Sequence, residues 1–177
     1  MVIGVGNEWR RDDGAGLAVA RRLRGALPEH VSVLEHEGEP VGLLEAWSAA
    51  QLAIVVDAVS SGAAPGTIHR VDGRRERLPA ELFRGSTHAF GLAEAVELAR
   101  ALERLPARLL VYGIEGECFG AGSGLSPSVE RTVGELVGEL SELLGAGARR
   151  SPPAGSGLGQ GVVDSGHGDP PRQTSFG

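Results

Sequence analysis

The chain has one cysteine in 177 residues, no lysine, one methionine, one tyrosine and few aromatic side chains altogether. Each scarcity excludes something. A lone thiol, Cys118, cannot close an internal disulfide or build a thiolate-rich zinc site, and it fits a reducing compartment. No apolar stretch approaches the roughly 20 residues of a membrane span, and with Met1 leading straight into an apolar run no signal peptide is expected. Basic residues are never denser than Arg74-Arg75 with Arg77, and the net charge is −6, so neither nucleic acid nor an anionic membrane is an expected partner. All 17 basic residues are Arg, a bias that points to GC-rich coding rather than to chemistry. These features predict a soluble, cytoplasmic, monomeric protein with one domain of ordinary size.

What is present begins with Gly4-Val5-Gly6-Asn7-Glu8-Trp9-Arg10-Arg11-Asp12-Asp13-Gly14-Ala15-Gly16. A short apolar run, Val2 to Val5, breaks into a Gly-rich turn, reaches two adjacent carboxylates and opens an amphipathic helix. Acidic residues beside a helix N-terminus complement its dipole and cap free amides. Capping explains one aspartate better than two, and the carboxyl edge of a parallel sheet is where α/β proteins build their sites.

The rest of the chain alternates. A helix with Leu17, Ala20, Leu23 and Leu27 on one face is expected to stop at Pro28. Val31 to Leu34 reads as a second strand, Glu35 to Pro40 as a loop, and Val41 to Ala50 as a helix with Leu43, Leu44 and Trp47 turned inward. Leu52 to Val56 has the continuous apolar character of a strand buried on both faces, with Asp57 at its end. Thr67 to Val71 suits an edge strand, and Asp72-Gly73 ends it. Ser86-Thr87 can cap a helix over Phe90 to Leu102, read with Phe90, Ala93, Val96, Leu98 and Leu102 inward. Leu109 to Ile114 is a last strand. After a Gly-rich loop, Ser126-Pro127-Ser128 opens a helix whose apolar line is Val129, Val133, Leu136, Val137, Leu140 and Leu144. Residues 146–177 hold eight Gly and four Pro without apolar periodicity and cannot bury a core. The expected architecture is therefore a three-layer α/β/α sandwich over residues 1–145, with a mostly parallel, twisted sheet of about five strands, followed by a disordered tail over 146–177.

Parallel strands end on one side, so Asp12 and Asp13, Asp57, and His88 ahead of the next helix all line one crevice. A histidine there can equally pack or hydrogen bond locally. Two carboxylates with an imidazole make a three-ligand set for zinc, nickel or iron, with positions left for water or substrate. Other chemistries fit less well. A dinucleotide fingerprint needs a third glycine where Trp9 stands, and paired aspartates would repel a pyrophosphate. Gly122-Ser123-Gly124 lacks the strand and spacer of a nucleophile elbow. The acidic neighbours Glu115 and Glu117 work against a thiolate at Cys118.

In order and spacing, Gly4-Val5-Gly6-Asn7 with Asp12-Asp13-Gly14-Ala15-Gly16, Val55-Val56-Asp57-Ala58, Pro65-Gly66-Thr67, Ser86-Thr87-His88 with Gly91-Leu92, and Gly113-Ile114 leading to Gly124-Leu125-Ser126 resemble the hydrogenase maturation endopeptidases. Glu37-Gly38-Glu39-Pro40 departs from the Gly-Gly-Thr-like turn often found in that family. The resemblance implies an α/β/α peptidase that removes a C-terminal extension from the large-subunit precursor of a nickel-iron hydrogenase after nickel insertion. It also implies Asp13, Asp57 and His88 as both catalytic and metal-contacting residues. With three protein ligands and no thiolate among them, the nickel is expected to arrive with the precursor rather than reside in the resting enzyme. A non-catalytic, nickel-checking chaperone could use the same three residues, and a mass loss in the precursor separates the two.

Overall fold

The computed structural model describes residues 1–79, 82 and 89–148. His88 and residues 149–177 lie outside the described residues. The elements, in order, are β1 (Val2–Val5), a 3-10 turn (Arg11–Gly14), α1 (Ala15–Leu23), β2 (Val33–His36), α2 (Pro40–Trp47), β3 (Leu52–Val59), β4 (Ile68–Asp72), α3 (Ala89–Ala101), β5 (Arg108–Glu115) and α4 (Pro127–Ala148). They build one five-stranded sheet in the order β2-β1-β3-β5-β4. β2, β1, β3 and β5 run parallel, and β4 closes one edge antiparallel to β5.

The sheet separates two apolar layers, as alternation along its strands requires. Ile3, Val5, Val55, Val59 and Val111 pack against Leu43, Leu44 and Trp47 of α2 and Leu92, Val96 and Ala99 of α3. Val2, Ile54, Val56, Ala58 and Ile114 pack against Val19 and Leu23 of α1 and Val129, Val133, Leu136 and Leu140 of α4. Each fully buried Leu or Val contributes on the order of 1.5–3 kcal/mol relative to exposure, so these two layers, more than helix propensity, hold the helices in place. Among the described residues no helix is long and apolar enough to cross a membrane.

The chain leaves β1 through α1 to β2 on one side, then returns through α2 to β3 on the other. The direction of winding therefore reverses between β1 and β3. A crevice opens outside the carboxyl ends of the strands at such a reversal.

Four local expectations shift. α1 ends at Leu23, before Leu27, because Arg24 turns extended at ψ 120° and Gly25 at φ +79° completes a type II turn closed by Ala26 N on Leu23 O at 3.0 Å. β2 runs two residues later than Val31 to Leu34, since its pairing with β1 sets Val33 opposite Val2 and His36 opposite Val5. β3 does not stop at Asp57. Its ladder with β5 continues to Val59 opposite Glu115, which places Asp57 within a strand. In α3 the buried face is Leu92, Ala95, Val96 and Ala99, while Leu98 and Leu102 are exposed.

Candidate active site at the carboxyl edge of β1 and β3

The turn after β1 is held by its own backbone. The Asn7 amide donates to Asp13 O at 3.1 Å, Arg10 N to Asn7 O at 3.2 Å, and Asp13 N to Arg10 O at 3.2 Å. The Asn7 side chain accepts from Trp9 N at 3.0 Å, an Asx turn. Gly6 leaves the strand at φ +154°, and a Cβ there would stand 2.0 Å from the Asp13 carbonyl. Arg11 adopts φ 51°, the left-handed region, at the start of the 3-10 turn.

The two adjacent aspartates separate in environment. Asp12 is fully buried and faces the β5–α4 loop. Its Oδ2 accepts from Glu117 N at 2.9 Å, Cys118 N at 2.9 Å and the Ser126 hydroxyl at 2.8 Å, and its Oδ1 accepts from Ser126 N at 2.7 Å. Burial pushes its pKa up, but the donors from Ser126, Cys118 and Glu117 outweigh burial and hold the carboxyl below its ordinary value. Asp12 thus serves the β5–α4 loop, and neither the 3-10 turn nor α1 carries a side-chain cap at its N-cap residue.

Asp13, also fully buried, lies 3.8 Å from the Arg10 guanidinium. Asp57 is fully buried on the face of β3 that carries Val55 and Val59, toward the α2 and α3 layer. Its Oδ1 accepts from Ala58 N at 2.8 Å, and its Oδ2 has no hydrogen-bond partner among the described residues. Burial pushes the Asp57 carboxyl up to about 8; the Ala58 amide opposes that rise, and the Asp13 charge adds to it. At neutral pH Asp57 therefore keeps its proton beside the Asp13 charge, an asymmetric carboxyl pair suited to acid and base roles.

The structure thus brings Asp13 and Asp57 together, one on each side of the reversal between β1 and β3. The distance to His88 falls outside the described residues. α3 begins one residue later at Ala89, and a Cβ on Gly91 in its first turn would stand 2.1 Å from Gly38 O, so α3 starts against the loop that leaves β2 at the same sheet edge. Among the described residues no three His, Cys, Asp or Glu side chains are grouped to hold a metal ion. Between the turn after β1 and the loop after β2 lies a cleft of about 600 Å³ lined by Asn7, Glu8, Trp9, His36, Glu37 and Glu39, with neither Asp13 nor Asp57 in its lining. Trp9 is 71% exposed at its rim.

The sequence profile of the HycI family, described as hydrogenase maturation protease, matches residues 17–142. The chain belongs to the hydrogenase maturation protease family. It is 33% identical over 138 residues to the hydrogenase 2 maturation protease of Escherichia coli K12, covering 75% of this chain and 82% of that protein. It is 31% identical over 151 residues to the hydrogenase expression/formation protein HupD of Rhodobacter capsulatus, covering 79% and 70%. Its fold superposes on the hydrogenase maturating endopeptidase HybD from E. coli with a TM-score of 0.72 at 27% identity, covering 82% of this chain and 91% of that one. The maturation protease HybD from Thermococcus kodakarensis aligns with a TM-score of 0.64 at 28% identity, covering 81% and 97%.

In this member of the hydrogenase maturation proteases, the sequence reading missed two features of the site's surroundings. Glu39, expected in a loop, caps α2 by accepting from Val41 N and Gly42 N, both at 2.8 Å, and those amides hold its pKa below the ordinary value. Glu115, almost fully buried at the end of β5, gathers Ser61 N at 2.8 Å, Gly62 N at 2.9 Å, the Ser61 hydroxyl at 2.7 Å and His69 Nε2 at 3.1 Å. Ser61, His69 and Glu115 have the composition of a catalytic triad but not its geometry. Both Ser61 Oγ, at 3.4 Å, and Glu115 meet the same ring nitrogen, and the serine donates to the glutamate directly, so no base stands between them. The cluster fixes the β3–β4 turn. The available signal was Glu115 itself, a charged residue ending an apolar strand at the site edge.

Proposed function

We propose that this hydrogenase maturation protease cleaves a C-terminal extension from the large-subunit precursor of a nickel-iron hydrogenase after nickel insertion. In this reading Asp13, Asp57 and His88 converge on nickel carried by the precursor, and the enzyme works as a monomer in the cytoplasm. The observation that carries it is the buried pair itself. Asp57 Oδ2 has no hydrogen-bond partner among the described residues, and the Asp57 proton is what an approaching dication would displace. A substrate-borne dication supplies positive charge that polarises the scissile carbonyl. Asp13 offers carboxylate oxygens toward that charge, and the cleft beside Trp9 gives an extended peptide a place to lie.

The proton held on Asp57 favours a second reading of the chemistry. Without any metal, Asp13 would take a proton from the attacking water while Asp57 gives one to the leaving nitrogen, in the manner of aspartic peptidases. One experiment separates them. Chelator-treated enzyme is incubated with nickel-loaded and nickel-free precursor, and the precursor mass is followed. Cleavage of the loaded form alone supports the substrate-borne metal; equal cleavage of both leaves the aspartate pair. Binding without mass loss in either would replace the peptidase assignment with a nickel-checking chaperone.

A further inference from the structure

We infer that Asp12 is the positioning residue of this site, a carboxylate that ties the turn carrying Asp13 to the loop between β5 and α4. The inference rests on the reading of Asp13 as a site residue. A carboxylate offers roughly four acceptor positions, and Asp12 meets four donors: the amides of Glu117, Cys118 and Ser126 and the Ser126 hydroxyl. Oδ2 takes three of these donors and Oδ1 the fourth, all from the β5–α4 loop, so Asp12 acts through what it holds.

What it holds is a turn under strain. Arg11 sits at φ 51°, a conformation that non-glycine residues keep only where their surroundings over-determine it. Asp12 N donates to Cys118 O at 3.1 Å, and Arg11 N donates to Gly122 O at 3.0 Å. Gly122 N in turn donates to Trp9 O at 2.9 Å, and the Arg10 guanidinium reaches Phe119 O at 3.0 Å. The loop is folded tightly onto this seam: a Cβ on Gly116 would stand 2.4 Å from the Phe119 ring and 3.3 Å from the Asp12 Cβ. Asp13 follows the latch by one peptide bond, so its carboxylate direction toward Asp57 is set by how firmly Asp12 is held. An amide in place of the carboxylate keeps one acceptor end and turns a donor on the amides it had received.

The test compares Asp12→Asn, Ser126→Ala and Asp13→Asn in the full chain, with kcat and KM measured on nickel-loaded precursor. Amide exchange at residues 117, 118 and 126 is followed in the same proteins. The expected result for Asp12→Asn is a kcat lowered about 10²-fold, the scale of a small misplacement of reacting groups. KM should stay within about twofold, as for an interaction felt only in the transition state, and the loop amides should exchange faster. Ser126→Ala, which removes one of the four donors, should lower kcat by a smaller factor and accelerate the same amides. Asp12→Asn with native kcat, or with a lowered kcat and unchanged loop exchange, overturns the inference. Should Asp12→Asn not fold, native kcat and exchange in Ser126→Ala overturn it instead. Full activity in Asp13→Asn overturns the site reading, and the inference with it; loss in Asp13→Asn alongside native Asp12→Asn overturns the inference alone.

Discussion

The carbonyl oxygen of Gly16 stands 2.1 Å from where a Cβ on Gly4 would lie, so β1 and α1 meet backbone to backbone. The same helix start is pressed on the other side, because a Cβ on Gly16 would lie 2.2 Å from Val56 O and 2.3 Å from Val5 O. Gly4→Ala should destabilise the fold by about 3 kcal/mol or more, since the obstacle is backbone and cannot step aside as a side chain can. Gly134→Ala, in the exposed middle of α4 with nothing within 4 Å of its Cβ, should instead stabilise by about 1 kcal/mol. Urea unfolding of both variants checks the contrast, and a Gly4→Ala protein as stable as the native one would contradict the packing.

Asp57 should make stability fall as pH rises. Its folded pKa is about 8 against an ordinary value of 3.8, so between those values the unfolded chain has lost the proton that the folded chain keeps. Folding then takes up a proton, and stability declines by about 1 kcal/mol per pH unit across that window. Asp57→Asn lacks this dependence. Its gain over the native protein should be largest near pH 8 and vanish near pH 4, read from thermal melts at matched pH. Parallel stability curves for the two proteins would refute the raised pKa.

Cys118→Ser should cleave precursor at close to the native rate. The residue meets Asp12 through its backbone N and O, which serine keeps. A folded but inactive variant would revive a thiol mechanism.

Glu115→Ala should cost about 1–3 kcal/mol, because it strands the Ser61 and Gly62 amides that the carboxylate now accepts from. Differential scanning calorimetry gives the loss, and faster exchange at residues 61 and 62 would place it in the β3–β4 turn. A melt unchanged within a degree would show the cluster to be dispensable.

The sequence made the architecture readable where one period dominates. Val2 to Val5, Ala53 to Val56 and Val129, Val133, Leu136 and Leu140 of α4 are buried as their patterns require. It misled where a single residue overrides a pattern: apolar spacing continues from Leu23 to Leu27, yet Gly25 ends α1. In α3 the spacing was read with Leu98 and Leu102 inward, but contact with α2 and the sheet buries Leu92 and Ala95 instead. At the site, strand order was enough to bring Asp13 and Asp57 to one edge. The division of labour between Asp12 and Asp13 was not legible, because the donors that distinguish them come from residues 117 to 126, distant in sequence and close only once the chain has folded.

The hydrogen bonds at Asp12 span 105, 106 and 114 residues of chain. A nascent polypeptide that has emerged only as far as β5 has the Asp12 carboxylate but none of the Ser126 donors, so the seam between the Asp12 turn and the β5–α4 loop closes late in synthesis. Contacts of such long range also slow folding, since loop closure precedes their reward. An incomplete chain therefore lacks the donors that hold both Asp12 oxygens until residue 126 has been added.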